Sequence, residues 1–380
     1  MMNNSELLLD YYEYLREQKI KENKKIVAFM GHDNIPEELI DAAGMIPLRM
    51  MFAGNDELMN ISNNYLPPST CSFARSCIGL FSSKPSAYKF LDLVDYFIVS
   101  NHCVSDVCCS EIITKYFNVP RLDFFLSYTQ SPGALKYVKL ELLDLKKQLE
   151  NISNREIKEE DIITSLKKYN EFKKNIAEIN KLALKSSEKL RIIQKAMLNG
   201  PVFLEELTEI IQKASTKQLQ KKPNSIDIIF TGCSIFIGDY LIDLIEDSGG
   251  NIVFFDTWIG NDYYSQIFDE SDFKNIHDPL DLIVKRFADN HHGDHIVPNF
   301  LENKVNLLEK IIQENMKENN GKVGVINHII KFCDHINIFQ TFLKQKLQDR
   351  NIKVLNLERD YSRSNRGQLS TRIEAFMELI

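Results

Sequence analysis

Three cysteines, Cys71, Cys103 and Cys333, occupy comparable places in the chain, each where a predicted strand or loop gives way to a helix. Thiolates are the ligands that iron–sulfur clusters require. In doubly wound α/β sheets, ligands bind beyond the carboxyl ends of the strands. These three side chains could therefore hold one iron–sulfur cluster shared by two distant parts of the chain.

A simpler alternative is that the cysteines are buried thiols that pack as small apolar side chains. The chain has seven cysteines, and five of them fall between positions 71 and 109. An odd number in a large chain without a visible signal peptide argues against a disulfide framework. Composition alone favours buried thiols over a metal site.

The elements that must position these residues alternate between strands and helices at both ends of the chain. Strands are predicted at 26–30, 46–52, 95–100 and 121–126, and again at 226–231, 251–258, 322–327 and 353–357. Helices are predicted between them, which is typical of α/β units with largely parallel sheets. Each end of the chain is therefore expected to form a four-stranded α/β unit.

The middle of the chain has a different pattern. From Pro132 to about Gln220, leucines recur at helical spacing among many lysines and glutamates, and no segment predicts a strand. The predicted organisation is an N-terminal helix with a first α/β domain (1–131), a helical connector and lid (132–222), and a second α/β domain (223–380). A chain of 380 residues suits two domains better than one.

Composition excludes several classes of function. The net charge of −7 argues against a nucleic-acid surface, for which a basic stripe is expected. No apolar run reaches the ~20 residues that a membrane-spanning helix needs. The first residues lack a basic flank followed by an apolar core, so no signal peptide is expected. The predicted location is the cytoplasm.

Several segments, in this order, resemble the 2-hydroxyacyl-CoA dehydratase and benzoyl-CoA reductase family, and a D-component-like dehydratase subunit in particular. They are the stretch from Pro36 to Pro47, Cys71-Ser72-Phe73-Ala74-Arg75-Ser76-Cys77, Cys103, Thr231-Gly232-Cys233, Lys331-Phe332-Cys333-Asp334, and the stretch from Gly367 to Phe376. Together they span nearly the whole chain.

The resemblance implies two Rossmann-like, flavodoxin-like domains and one [4Fe-4S] cluster at their interface. By motif position its ligands are Cys71, Cys103 and Cys333, with Cys77 as an alternative to Cys71. A fourth iron without a cysteine would stay open to water or substrate. One branch of the family carries a double cubane, but no cysteine stands near 257–260 or 291–295, where extra ligands would be expected. A single cubane is therefore the predicted cofactor.

The resemblance also implies a reaction and partners. The first hypothesis is an oxygen-sensitive 2-hydroxyacyl-CoA dehydratase, in which a ketyl radical expels the 2-hydroxyl group. Its expected partners are a related second subunit in a heterodimer, a separate ATP-hydrolysing iron–sulfur activator, and an acyl-CoA substrate. The alternatives are a benzoyl-CoA reductase-type subunit, a non-catalytic electron-relay subunit, and a cysteine-rich binding protein without a cluster.

Histidines are the remaining candidates for chemistry. His102 precedes Cys103 and could hydrogen-bond to a cluster sulfur or simply be an exposed loop residue. His292 and His295 belong to a histidine-rich loop that could bind a metal, donate a proton to substrate, or form a polar surface turn. These three are the weaker catalytic candidates.

Overall fold

The structure is a computed structural model that describes residues 4–31, 34–127, 129–215, 225–274, 276–290, 298–318 and 322–380. The first part contains α1 (Asn4–Lys21), β1 (Ile26–Met30), α2 (Glu37–Ala42), β2 (Ile46–Met50), α3 (Asp56–Ile61), α4 (Ser72–Ser83), β3 (Tyr96–Ser100), α5 (Val104–Phe117) and β4 (Arg121–Phe124). The central part contains α6 (Pro132–Ser153), α7 (Glu159–Glu178), α8 (Ser186–Asn199) and α9 (Leu204–Ser215).

The last part returns to alternating strands and helices. It contains β5 (Ile226–Gly232), α10 (Leu241–Asp247), β6 (Gly250–Asp256), α11 (Asn261–Tyr264), α12 (Glu270–Lys274), α13 (Leu280–Asp289), α14 (Phe300–Glu318), β7 (Val323–Ile330), α15 (Asp334–Asn337), α16 (Gln340–Gln348), β8 (Val354–Arg359) and α17 (Arg366–Glu378). Short 3-10 segments lie at Ser62–Asn64, Ser86–Leu93, Ile179–Lys181, Gly200–Phe203 and Arg363–Asn365.

Two four-stranded sheets, both entirely parallel, confirm the predicted α/β class. The first sheet has the order β2-β1-β3-β4 and the second has the order β6-β5-β7-β8. Relative to the chain, both follow the same 2-1-3-4 order, which begins the flavodoxin-like arrangement. Helices cover both faces of such sheets, so their strands are continuous apolar runs, as in Ile26–Met30, where every residue is buried.

The two sheets are joined by backbone hydrogen bonds as well as by packing. Phe52 and Ile237 form a parallel bridge, with Ala53 N–H donating to the Ile237 carbonyl at 2.9 Å. The rings of Phe73 and Phe236 stack across the same boundary with centroids 4.3 Å apart. One cluster of buried apolar residues runs through both halves. The carboxyl ends of the two sheets are thereby held at a fixed separation.

The helices of the central part contact both halves. On the first side, Ser165 Oγ donates to Asp41 at 2.7 Å. On the second side, Ser187 N–H donates to Glu246 at 2.7 Å, and Gln194 donates to the Ile235 carbonyl at 2.8 Å. These contacts fit a connector; the predicted boundaries at 131 and 222, and the lid role, stay predictions. None of the helices in the described ranges is both long and apolar enough to cross a membrane.

Candidate metal centre

Cys71, Cys103 and Cys333 each occupy the position immediately before a helix. They precede α4, α5 and α15, respectively. Unpaired backbone N–H groups and the positive end of the helix dipole favour an anionic thiolate at such a position. Cys71 and Cys333 are buried, and Cys103 is partly exposed. Three separate helix starts therefore present one soft ligand each.

The loops that carry Cys71 and Cys333 are tied together by hydrogen bonds. Ser72 donates from its backbone N–H to the Lys331 carbonyl at 3.2 Å. Lys331 in turn donates its N–H to the Arg359 carbonyl at 2.7 Å, and Cys333 donates to the Ile330 carbonyl at 2.9 Å. The start of α4 in the first half is thus bonded directly to the loop after β7 in the second half.

The thiols themselves interact. The neighbouring thiol of Cys333, together with burial, raises the pKa of Cys71 well above its usual range, although the amides of Ala74 and Phe73 oppose this shift. Hydrogen bonding to Cys233 raises the pKa of Cys333 well above its usual range; hydrogen bonding to Cys71 opposes this shift, whereas burial and Cys103 add to it. Without a metal these groups are thiols, and a metal would displace their protons.

Cys71, Cys103 and Cys333 would together supply three thiols and no carboxylate. Within the part of the chain that the structure describes, no group of three His, Cys, Asp or Glu side chains could hold one metal ion. The ligands of a cubane bind different iron atoms, so they lie farther apart than the ligands of one ion. Soft thiolates without a carboxylate are also the set that iron–sulfur clusters use.

Cys233 also lies at this centre, which the sequence prediction did not anticipate. Its side chain is fully buried, and its sulfur accepts a hydrogen bond from Ile330 N–H at 3.4 Å. It follows Gly232, whose φ is +92° and where a Cβ would lie 2.3 Å from the His328 carbonyl oxygen. Only glycine permits this tight turn at the end of β5. The available signal in the sequence was that Cys233 follows a predicted strand, β5. Neighbouring parallel strands such as β5 and β7 end at the same edge of a sheet.

The other cysteines lie farther along α4 and α5. Cys77 and Cys109 are fully buried, and the Cys109 thiol faces the Ala74 carbonyl at 3.7 Å. Burial raises the pKa of both thiols well above the usual range. Cys108 is exposed. Cys77 and Cys109 are therefore buried and Cys108 faces solvent; Cys77 as an alternative ligand to Cys71 stays a prediction.

Two histidines flank the cysteines and line a cavity. His102 and His335 are both buried, with ring centroids 4.2 Å apart, and Trp258 packs edge-on against His335 at 5.3 Å. The exposed-loop alternative for His102 is therefore wrong. A cavity of about 680 Å³ opens beside them, lined by Cys103 and by apolar side chains that include Phe300 and Phe339. His335 was missed because it lies two residues into a helix. His292 and His295 lie outside the described residues.

A buried ionic network lies at the carboxyl end of β1. Glu38 binds Arg286 through two hydrogen bonds, one of them at 3.0 Å, and pairs with Lys173 at 3.2 Å. Burial opposes ionisation of Glu38, but Arg286 and Lys173 hold its pKa far below the usual range. Burial lowers the pKa of Lys173 to about 8. Glu37 pairs with Arg49 at 3.3 Å in the same network.

The sequence of this chain is similar to those of several dehydratase and reductase subunits. The sequence profile described as 2-hydroxyglutaryl-CoA dehydratase, D-component, matches residues 34–380. A putative dehydratase subunit, YjiM, from Escherichia coli K12 is 24% identical over 91% of this chain and 89% of its own length. The (R)-phenyllactyl-CoA dehydratase beta subunit of Clostridium sporogenes is 23% identical over 91% of this chain and 89% of its own length. A benzoyl-CoA reductase subunit of Thauera aromatica is 25% identical over 62% of this chain and 66% of its own length.

Proposed function

Because the chain belongs to the 2-hydroxyglutaryl-CoA dehydratase D-component family, we propose that it is the iron–sulfur subunit of an oxygen-sensitive 2-hydroxyacyl-CoA dehydratase. What supports this proposal is that Cys71, Cys103 and Cys333 each stand directly before a helix, two in the first half of the chain and one in the second, and that the thiols of Cys71 and Cys333 interact. Cys71, Cys103 and Cys333 would hold a [4Fe-4S] cluster. When bound, the cluster would supply single electrons and a Lewis-acidic iron to the thioester of the substrate.

The cavity beside Cys103 would receive the acyl group. Its volume of about 680 Å³ is within the usual range for small-molecule sites, and its wall combines apolar side chains with a few polar groups. Phe300, Phe339 and Val104 would exclude water from the acyl chain. Restricting water favours elimination over rehydration of the product.

His102 and His335 would carry the proton that the elimination releases. Both line the cavity, and their rings contact each other. His102 directly precedes Cys103, and His335 lies two residues after Cys333. An imidazole can accept a proton from carbon and pass it on near neutral pH. Either imidazole would serve as the base, since both side chains line the same cavity. His292 and His295 stay weaker candidates for the same role.

A partner subunit is part of the proposal. Two of the relatives are themselves named as subunits, one of a phenyllactyl-CoA dehydratase and one of a benzoyl-CoA reductase. We infer a related second subunit in a heterodimer and a separate ATP-hydrolysing iron–sulfur activator. The seven cysteines, all within the described residues, form no disulfide with one another. Reduced thiols suit the cytoplasm, which is the proposed location.

A reductase acting on an aromatic acyl-CoA is the second candidate, because the benzoyl-CoA reductase relative aligns at 25% identity over 266 residues. A subunit that only relays electrons needs no substrate cavity. The cavity beside Cys103 therefore favours a catalytic role over a relay.

The experiment is an anaerobic assay of the chain purified with its partner subunit and activated by an ATP-dependent electron donor. We expect 2-hydroxyacyl-CoA thioesters to lose water and give 2-enoyl-CoA products. Cys103→Ala is expected to abolish this activity, whereas Cys108→Ala, at an exposed position, is expected to retain it. Reduction of benzoyl-CoA with no turnover of any 2-hydroxyacyl-CoA would overturn the dehydratase proposal in favour of the reductase.

A further inference from the structure

Two buried donor groups, at the end of β8 and just beyond it, lack a hydrogen-bond partner among the described residues. Tyr361 is 3% exposed, and its hydroxyl has no hydrogen-bond partner among the described residues. The same holds for Nη1 of Arg359, although the rest of that guanidinium bonds to Asp239 and His328. Leaving a buried donor unpaired costs about 1–3 kcal/mol. A buried group of this kind calls for a ligand that the chain alone does not contain.

The surroundings of Tyr361 indicate which ligand that is. The carbonyl of Arg359, two residues earlier, accepts from Lys331, and the Lys331 carbonyl accepts from Ser72 beside Cys71. The ring of Tyr361 is so close to Gly54 that a Cβ added there would lie 2.7 Å from the ring. Ser76, on the α4 helix that Cys71 precedes, lies against Gly54 as well, with its Cβ 2.7 Å from the same added atom. Tyr361 and the helix that follows Cys71 therefore meet at Gly54.

The electrostatic environment of the Tyr361 hydroxyl includes Cys71 and Cys233. Burial raises the pKa of Tyr361 well above its usual range, Asp239 adds to this, and the charges of Cys71 and Cys233 act in the same direction. The hydroxyl therefore keeps its proton and is a donor. The Arg359 guanidinium lies over the Tyr361 ring at 5.3 Å and holds it in place.

We propose that Tyr361 is a positioning residue whose hydroxyl donates a hydrogen bond to a sulfur of the bound cluster on the Cys71 side. The inference rests on the proposed function, since it requires a cluster at Cys71, Cys103 and Cys333. A hydrogen bond to a cluster sulfur stabilises the reduced, more negative state. Tyr361 therefore makes the cluster easier to reduce.

The test is a redox titration, followed by EPR, of the full chain reconstituted anaerobically with iron and sulfide. Tyr361→Phe removes only the hydroxyl. Tyr240→Phe is the matched control, because Tyr240 also lies beside Arg359, at 5.7 Å, but its hydroxyl donates to the Ser362 carbonyl. Resonance Raman spectra in H2O and D2O give a second readout, since a hydrogen bond to sulfur makes Fe–S stretching bands sensitive to deuterium.

The expected result is a lower midpoint potential in Tyr361→Phe than in wild type and in Tyr240→Phe, at the same iron and sulfide content. We also expect the deuterium sensitivity of the Fe–S bands to decrease in Tyr361→Phe alone. A cluster-loaded Tyr361→Phe with wild-type potential and wild-type deuterium shifts overturns this inference and leaves the proposed function intact. A wild-type chain that binds no cluster overturns both.

Discussion

Gly232 decides where Cys233 and the end of β5 lie. Its φ of +92° is a conformation that L side chains rarely adopt, and an added Cβ would meet the His328 carbonyl at 2.3 Å. Gly232→Ala is expected to lower the free energy of unfolding by about 2–5 kcal/mol, because backbone strain and a steric clash add. Urea unfolding followed by circular dichroism measures this.

Gly238 is the matched control for that substitution. Its φ is +91°, almost the same, but nothing lies within 4 Å of an added Cβ. Gly238→Ala should cost only about 1–2 kcal/mol, which is the strain of the left-handed conformation alone. Equal decreases in the free energy of unfolding of the two variants would show that the close approach to His328 does not contribute to the cost of Gly232→Ala.

At the residue scale, sequence reasoning found the three helix-start cysteines but not their neighbours. Cys233 was not among the predicted ligands, and Cys333, with which it interacts, is distant in sequence and is brought near by the pairing of β5 with β7. Likewise, Glu37 and Glu38 follow Pro36, where carboxylates suit the first turn of a helix. In the structure both are buried in an ionic network with Arg49, Lys173 and Arg286. Local patterns cannot reveal partners supplied by tertiary packing.

At the scale of elements, Glu38 joins three helices, because it lies on α2 and binds Lys173 of α7 and Arg286 of α13. Its pKa is lowered from 4.5 in the folded protein, despite burial, by these two cations. The unfolded chain therefore binds the proton more readily, so the stabilisation is fully present above pH 4.5 and is lost as the pH falls.

The measurement compares the free energy of unfolding of wild type and Glu38→Gln between pH 7 and pH 4. We expect wild type to be the more stable at pH 7 and its advantage to shrink as the pH falls below about 4.5. Glu13→Gln is the control, since Glu13 and Arg16 form an exposed pair and contribute little at any pH. A difference between wild type and Glu38→Gln that does not change with pH would contradict the role of the ionised carboxylate.

Most strands were predictable nearly to the residue, because strands buried on both faces are unbroken apolar runs. β1 was predicted at 26–30 and spans Ile26–Met30. The prediction for β7 ended at 327, but the strand continues to Ile330. The reason is His328, whose polar ring is buried by bonds to the Cys233 carbonyl and Arg359. The extra length places Cys333 at its helix start.

At the scale of the whole molecule, the two halves are expected to unfold together, since one apolar cluster runs through both. The single tryptophan, Trp258, reports on the second half, and far-ultraviolet circular dichroism reports on both. We expect the two probes to give coincident transitions. Transitions separated in denaturant concentration would indicate that the halves are independent.

The contact that couples the two halves can be tested by substituting Phe236. Its ring stacks on Phe73 of the other half and is almost fully buried. Phe236→Ala is expected to lower the free energy of unfolding by about 3–5 kcal/mol. The unfolding transitions that the two probes report should shift equally. Phe342→Ala, at a position 60% exposed, should change stability by no more than about 0.5 kcal/mol. A shift of the Trp258 signal alone would mean that Phe236 stabilises only its own half.

The fold class and the four strands of each sheet followed from the alternation of elements, whereas the strand order and the way the halves meet did not. The bridge between Phe52 and Ile237 and the bond from Ser72 to Lys331 join segments far apart in sequence. No local pattern specifies such pairs. They are nevertheless what brings Cys71 to Cys333.

The most direct test of the account is the iron and sulfide content, with EPR, of the anaerobically reconstituted chain and its single cysteine variants. Wild type, Cys77→Ala and the exposed control Cys108→Ala are expected to hold about four irons and four sulfides. Cys71→Ala, Cys103→Ala and Cys333→Ala are each expected to lose most of both. Full cluster content in any of these three variants, or no cluster in folded wild type, would contradict the central claim.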